Sequence, residues 1–317
     1  MGLLHASILN TLPSVKLTAL CDKSALIRRL CRKLFDEVEV VDDLEMLSDL
    51  NLDIVFVTTP IPSHFAITKT VYSKGIAQNV FVEKTLASTY AKAKELCELA
   101  QTFKGINMVG YMKRFGVTFR KARDLLSQEA LGEVISFDAY AYSSDFLGVK
   151  KDPKVSTSRG GVLEDLGAHT IDLALWFFCD LKVESVNLEA SSNYGSEDFA
   201  HFTVRKPDGS EGQFKISWCK EEYRLPEFGF MIKGSKGNIA VNDDKIELDL
   251  NGKKSVWYRH DLGDNVDFLL GAPEYYREDE YFVKSVVEGN VVEPNFCTAS
   301  KVDYIIDQVR KRSGKNE

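Results

Sequence analysis

Along the first hundred or so residues, short apolar runs alternate with amphipathic stretches. KLTALCD (16–22) is apolar and ends in an acid, EVEVVDD (37–43) alternates like a strand, and LDIVFVTTP (52–60) is a β-branched run stopped by Pro60. NVFVEK (79–84) and GINMVGYM (105–112) repeat the theme. Between them, residues 24–35, 62–74 and 88–103 carry helical spacing, with Gly75 suited to a helix end and Ser88 to a cap. Leu96, Leu99 and Ala100 mark a core-facing stripe. Such alternation predicts parallel βαβ units.

The texture changes near residue 111. VISFDAYAYSSDF (134–146), VESVNLEASSN (183–193), DFAHFTVRK (198–206) and GQFKISWC (212–219) all alternate with period two, and KPDG (206–209) and KGSKG (233–237) read as turns. Residues 278–287 and 298–310 are helical again. The predicted fold class is α/β: a Rossmann-like doubly wound parallel sheet over 1–110, then an α+β domain over 111–317 with a large, mostly antiparallel sheet covered on one face. A chain of 317 residues is about two ordinary domains long, which agrees.

Charge and composition narrow the partners. A net charge of -7 argues against nucleic acid, which is held by a basic surface. The basic cluster Arg310–Lys311–Arg312 reads as a solvated last helical turn. The six cysteines show no C-x-x-C spacing, so isolated thiols in a reducing cytoplasm are expected. No run of about 18 apolar residues suggests a membrane span. MGLLHASIL lacks a basic start, and Ala6 stands where a myristoylation pattern needs Ser or Thr. The expected location is cytoplasmic.

The candidate chemistry starts with RGGVLEDLGAHTIDLALWFF (159–178). Asp165, His169 and Asp172 fall at i, i+4 and i+7, one face of a helix that is otherwise apolar. Buried acids and imidazoles need compensation: either they satisfy one another or they face a cavity where chemistry happens. Oxidation of a secondary alcohol needs a base with a pKa near the working pH, which suits His169, and Asp165 could orient it. Lys84, at the C-terminal end of a parallel strand, supplies a cation for a developing alkoxide. Only two ligands for a metal are visible in Asp165 and His169, where zinc takes three or four, so no metal site is expected. Asp22 ends a strand about twenty residues after Gly2, where a dinucleotide fold places the acid for the ribose hydroxyls. It equally suits a helix cap. An acid there favours NAD, while Lys23, Arg28 and Arg29 leave NADP open.

These pieces fall into a layout that resembles the Gfo/Idh/MocA oxidoreductases over nearly the whole chain. MGLLHA (1–6) is similar to the end of the family's G-x-G-x-M-G-x-x-H-A loop, with Gly2 as its third fingerprint glycine. TTPIPSHF (58–65) resembles T-P-x-x-x-H, VEKTLA (82–87) resembles E-K-P-L-A, and VGYMKRF (109–115) resembles the entry to the second domain. GGVLEDLGAHTIDL (160–173) resembles G-G-x-x-x-D-x-G-x-H-x-x-D, the most specific of them. The resemblance implies a cofactor site at Gly2, Asp22, Thr59, Pro60, His64, Glu83 and Lys84, and catalysis by Lys84, Asp165 and His169. Substrate contacts fall to Asp165, His169 and Asp172. Arg114 is a further candidate, for substrate or for an acid nearby. The implied activity is hydride transfer between NAD(P) and a secondary alcohol of a sugar, polyol or nucleotide-sugar, by a homodimer or homotetramer. Lys84 and His169 are expected to meet across a shared crevice, with substrate choice in loops such as 144–159 and 221–228.

Two departures stand out. Thr85 replaces the family's usual proline, so the loop after Lys84 is expected to turn differently. The first strand and the first two glycines are not in the sequence, which suggests translation assigned to an internal methionine or a shortened chain; two strands then lose a central neighbour. Two other functions remain open: a non-catalytic dinucleotide- or sugar-binding relative, and an enzyme using NAD transiently for epimerisation or elimination. His5 is expected to pack near the phosphate loop, and Glu83 to be chiefly a structural acid.

Overall fold

The computed structural model describes residues 1–147, 159–190, 196–266 and 272–314. The chain forms two compact units, the first from Met1–Gly110 with Tyr275–Ser300, the second from Tyr111–Glu274 with Lys301–Glu317. The crossing falls at Gly110, where the sequence changes texture. The sequence reading put all of 111–317 in the second domain, and here it needs correction, because residues 275–300 return to the first.

In the first unit, five short parallel strands alternate with helices. They are β1 (Ala19–Cys21), β2 (Glu39–Val41), β3 (Ile54–Val57), β4 (Asn79–Glu83) and β5 (Asn107–Gly110). The helices are α1 (Gly2–Leu9), α2 (Ala25–Leu34), α3 (Ile61–Ser73) and α4 (Tyr90–Ala100). The cap of α4 is Thr89, whose hydroxyl accepts the Lys92 N–H, rather than Ser88. The strands make two sheets, β1–β2 and β3–β4–β5. Each has its own apolar packing. Ala6, Cys31 and Phe35 gather Leu20 and Val40, whereas Val80, Phe81, Val82, Met108 and Val109 are sealed in the three-stranded sheet.

The returning segment explains the altered boundary. Helix α7 (Pro273–Glu288) brings Phe282 against Phe56 and Phe81, at 5.6 and 5.7 Å between ring centres, and Val283 packs on Leu9 and Leu12. Pro294 accepts the Val109 N–H, and the Phe296 N–H donates to Asn107. This run delivers Cys297, at the start of α8 (Phe296–Arg312), to Cys97 on α4, and the two form a disulfide. The expectation of isolated thiols fails for this pair, since partners 200 residues apart leave no spacing signature.

The second unit is built on β6 (Val134–Tyr142), β7 (Lys182–Glu189), β8 (Phe199–Arg205), β9 (Glu211–Ser217), β10 (Glu227–Gly234), β11 (Gly237–Asn242), β12 (Lys245–Leu250) and β13 (Lys253–Tyr258). Their order is β13-β12-β11-β10-β6-β9-β8-β7, antiparallel except for the parallel pair β6–β9. Side chains alternate between faces: Phe137, Ala139 and Ala141 are buried while Asp138 is exposed, and Phe214 and Ile216 are buried around exposed Lys215. Helices α5 (Val117–Ser127) and α6 (Ala168–Phe178) pack on the buried face, where Phe178 stacks on Phe137 at 4.5 Å. That places α6, with His169 and Asp172, against the core.

Candidate active site

In the first unit, the chain ends that face one way from the parallel strands carry the candidate cofactor residues. Gly2 opens α1 so close to the end of β3 that an added Cβ would lie 3.1 Å from Thr58 Oγ1. Asp22, just after β1, accepts the Ser24 N–H at 2.7 Å. Arg28 donates to the carbonyls of Asp22 and Lys23 at 2.8 and 2.9 Å and pairs with Asp42 at 3.1 Å, so its charge is engaged locally. This set fits a dinucleotide: a carboxylate for ribose hydroxyls at a strand end and a bare helix start for the pyrophosphate.

His64 fastens two loops together. Its Nδ1 meets the Thr85 carbonyl at 2.8 Å and its Nε2 the Thr59 carbonyl at 2.6 Å, joining the turn after β3 to the turn after β4. Burial lowers its pKa against those two carbonyls, and a neutral ring donates to only one of them at a time. Thr59 and Pro60 thus sit at the start of α3, with His64 inside its first turns. Glu83 ends β4, Lys84 follows half-buried, and the Lys84–Thr85 peptide bond is cis.

Glu83 does more than end a strand. Its Oε1 accepts from His5 Nε2 at 2.8 Å, while His5 Nδ1 lies 2.9 and 3.0 Å from the two carboxylate oxygens of Asp279 on α7. Burial disfavours the charged imidazole, but the hydrogen bonds to Asp279 and Glu83 outweigh it and raise its pKa from 6.5 to about 9. The folded value lies above the unfolded one, so the stabilisation is complete below pH 6.5 and is lost as pH rises through about 9. Urea unfolding from about pH 6 to about pH 10 should show a loss on the order of 3 kcal/mol, absent from His5→Gln.

In the second unit, Gly160 and Gly161 turn the chain at φ 77° and 87°, a region that glycine occupies at little cost. Residues Leu163–Gly167 then form a π turn that leads into α6. A π turn closes i→i+5 hydrogen bonds, so spacing counted at 3.6 residues per turn does not carry through it. Of the three residues expected on one helix face, Asp165 lies in this π turn while His169 and Asp172 lie three apart on regular α6, and each has different neighbours. Asp165 Oδ2 accepts the Trp218 indole N–H at 3.1 Å and pairs with Arg159 at 3.2 Å. Arg159 also reaches Asp145 at 3.0 Å. His169, 7% exposed, stands edge-on to Phe228 and Tyr111, at 5.2 and 6.3 Å between ring centres. Asp172, fully buried, receives Arg114 in a two-pronged bond at 2.6 and 2.7 Å. Arg114 and Asp172 therefore neutralise each other. Lys113 pairs with Asp243 and lies 4.6 Å from the centre of the Phe228 ring, beside His169.

Arg310 also departs from expectation. It is not solvated: it pairs with Glu164 at 2.7 Å and Glu197 at 3.2 Å and donates to the Gly160 carbonyl at 2.6 Å. It therefore clamps the glycine turn that leads to Asp165. Asp145, Trp218 and Arg310 lie far in the chain from Asp165, so spacing alone does not bring them to it, and Arg159, six residues before it, carries no periodic signal. The one available signal was an arginine on a helix that is otherwise apolar on its inner side. Of the loops expected to choose the substrate, residues 148–158 lie outside the described residues. Among the described residues, no helix is long and apolar enough to cross a membrane.

Comparison with known proteins agrees with this architecture. Residues 1–111 match the model of an oxidoreductase family with an NAD-binding Rossmann fold, and residues 119–240 match the GFO/IDH/MocA C-terminal domain. D-glucoside 3-dehydrogenase of Escherichia coli is 26% identical over 92% of this chain and 80% of its own length. An uncharacterized oxidoreductase of Schizosaccharomyces pombe is 28% identical over 69% of this chain. The chain spans 61% of the length of that yeast protein and 66% of a second one. The fold matches that of levoglucosan dehydrogenase in complex with NADH and levoglucosan with a TM-score of 0.87, at 18% identity over 98% of this chain and 94% of the other. With both its nucleotide-binding and its C-terminal segments matched, the chain belongs to the Gfo/Idh/MocA oxidoreductase family.

Proposed function

We propose that this protein is an NAD-dependent dehydrogenase that oxidises a secondary alcohol of a sugar or polyol. Hydride acceptance from the carbinol carbon is the chemistry NAD supplies when bound. Gly2, Asp22, Thr59, Pro60, His64 and Glu83 bind it or shape its site. His169 takes the hydroxyl proton, the Lys84 ammonium stabilises the developing alkoxide, and Asp165 orients the substrate or the imidazole. Arg114 and Asp172 hold α6 in place through their mutual pair, with substrate contact a lesser part.

The observation that carries this reading is the setting of His169. It is an imidazole walled by Phe228 and Tyr111, next to a turn that holds Asp165 on Trp218 and Arg159. A binding module has no use for a base held in this way. The test is NADH formation with a panel of polyols, sugars and nucleotide-sugars. Steady accumulation with one of them is expected. NADH binding without turnover of any of them overturns the proposal, and product formation without net NADH assigns the chemistry to epimerisation or elimination.

Asp22→Ala is expected to weaken NAD more than NADP, read as the ratio of their dissociation constants, because the carboxylate repels a 2′-phosphate. An unchanged ratio assigns the ribose to another residue. The protein is further read as a homodimer or homotetramer. Tyr140, Tyr142 and Tyr223 cluster on the outer face of the large sheet, with exposed Met231 on neighbouring β10. Light scattering on the purified protein reads the oligomeric state.

A further inference from the structure

We infer that His5 is a positioning residue for Lys84, its imidazolium linking Asp279 on α7 to Glu83 so that the chain enters Lys84 in one fixed direction. The inference rests on the reading above, in which the Lys84 ammonium meets the substrate. Three observations carry it.

His5 is 1% exposed, and each of its ring nitrogens faces a carboxylate. A ring that donates from both nitrogens is charged, the state its raised pKa favours, and Asp279 faces it with both oxygens even though burial pushes that carboxyl up. Glu83 then divides its two oxygens: Oε1 takes the His5 proton, and Oε2 accepts the Lys84 backbone N–H at 3.1 Å. The imidazolium thus fixes the rotamer of Glu83, and Glu83 fixes the first peptide of the loop that displays Lys84. Finally, Phe56, Phe81 and Tyr275 surround the imidazole at 5.9, 5.4 and 5.9 Å between ring centres, which keeps water from loosening these bonds.

A purely structural histidine needs only one counter-charge. Asp279 already supplies it, and a second buried carboxylate adds desolvation cost that packing does not return. Its place, one residue before Lys84, supplies the reason for keeping it.

The experiment compares the full-length wild-type chain with His5→Gln, Glu83→Gln and, as a control of lowered stability elsewhere in the same core, Leu12→Ala. Reactivity of the Lys84 amine toward limiting acetic anhydride is read by mass spectrometry at constant pH, with folding checked by circular dichroism. Both network variants should shift Lys84 labelling about threefold or more, while Leu12→Ala leaves it unchanged. Once a substrate is in hand, kcat should fall about 10- to 100-fold in the network variants, and in His5→Gln, which lies outside the proposed cofactor set, the KM for NAD should be little altered. Should His5→Gln fail to fold, the isosteric Glu83→Gln carries the same comparison. Labelling that stays at the wild-type level in the folded network variants, or that moves equally in Leu12→Ala, overturns the inference. Absence of turnover in the wild-type chain with labelling shifted as expected would instead count against the dehydrogenase reading alone.

Discussion

His169→Ala and Lys84→Ala are each expected to lower turnover by about 10²–10⁴, the range over which positioned acid–base and electrostatic groups act. Initial rates of NADH formation measure it. The two losses should not add: once the proton acceptor is gone, a cation waiting for an alkoxide has little left to stabilise. The double variant should therefore be about as slow as the worse single one. NADH binding should persist in His169→Ala, because that residue lies outside the nucleotide-binding segment. Wild-type rates in the double variant would end the proposed mechanism.

The second large effect is on stability. Arg310→Met leaves Glu164 and Glu197 buried without their cation and frees the Gly160 carbonyl. Removing one partner of such a group costs about 3–5 kcal/mol, and the lower end applies because the Arg310 side chain keeps 17% exposure. Urea denaturation reads the loss. Adding Glu164→Gln and Glu197→Gln should restore most of it, since the cost comes from stranded charge rather than lost volume. An Arg310→Met chain as stable as the wild type would remove the clamp from the account.

Much of this was legible in the sequence, for physical reasons. The βαβ segments show because a strand buried on both faces is a continuous apolar run, as at Val80, Phe81 and Val82. The period-two segments show because only one face of the large sheet is covered. Lys84, Asp165 and His169 stood out because their residue types recur at the matching points of the motifs this chain resembles. Strands β10–β13 were harder to read: FGFMIK interrupts strict alternation. The π turn was invisible, since hydrophobic periodicity does not report an extra residue in a turn. Pairings such as Arg310 with Glu164, or His5 with Asp279, join positions far apart in the chain. Single-sequence patterns carry no record of such pairs, so His5 read as packing and Arg310 as solvent-facing.

The interrupted first unit has a consequence for biosynthesis. A chain emerging from the ribosome presents residues 1–110 long before Asp279 and Phe282 exist. Until residues 111–274 have been translated and the return segment follows, the His5 imidazole lacks one of its two carboxylates, and Phe56 and Phe81 lack the ring of Phe282. The nucleotide-binding half is thus the first made and the last finished, and nascent chains halted before residue 275 carry an open apolar surface suited to chaperone capture.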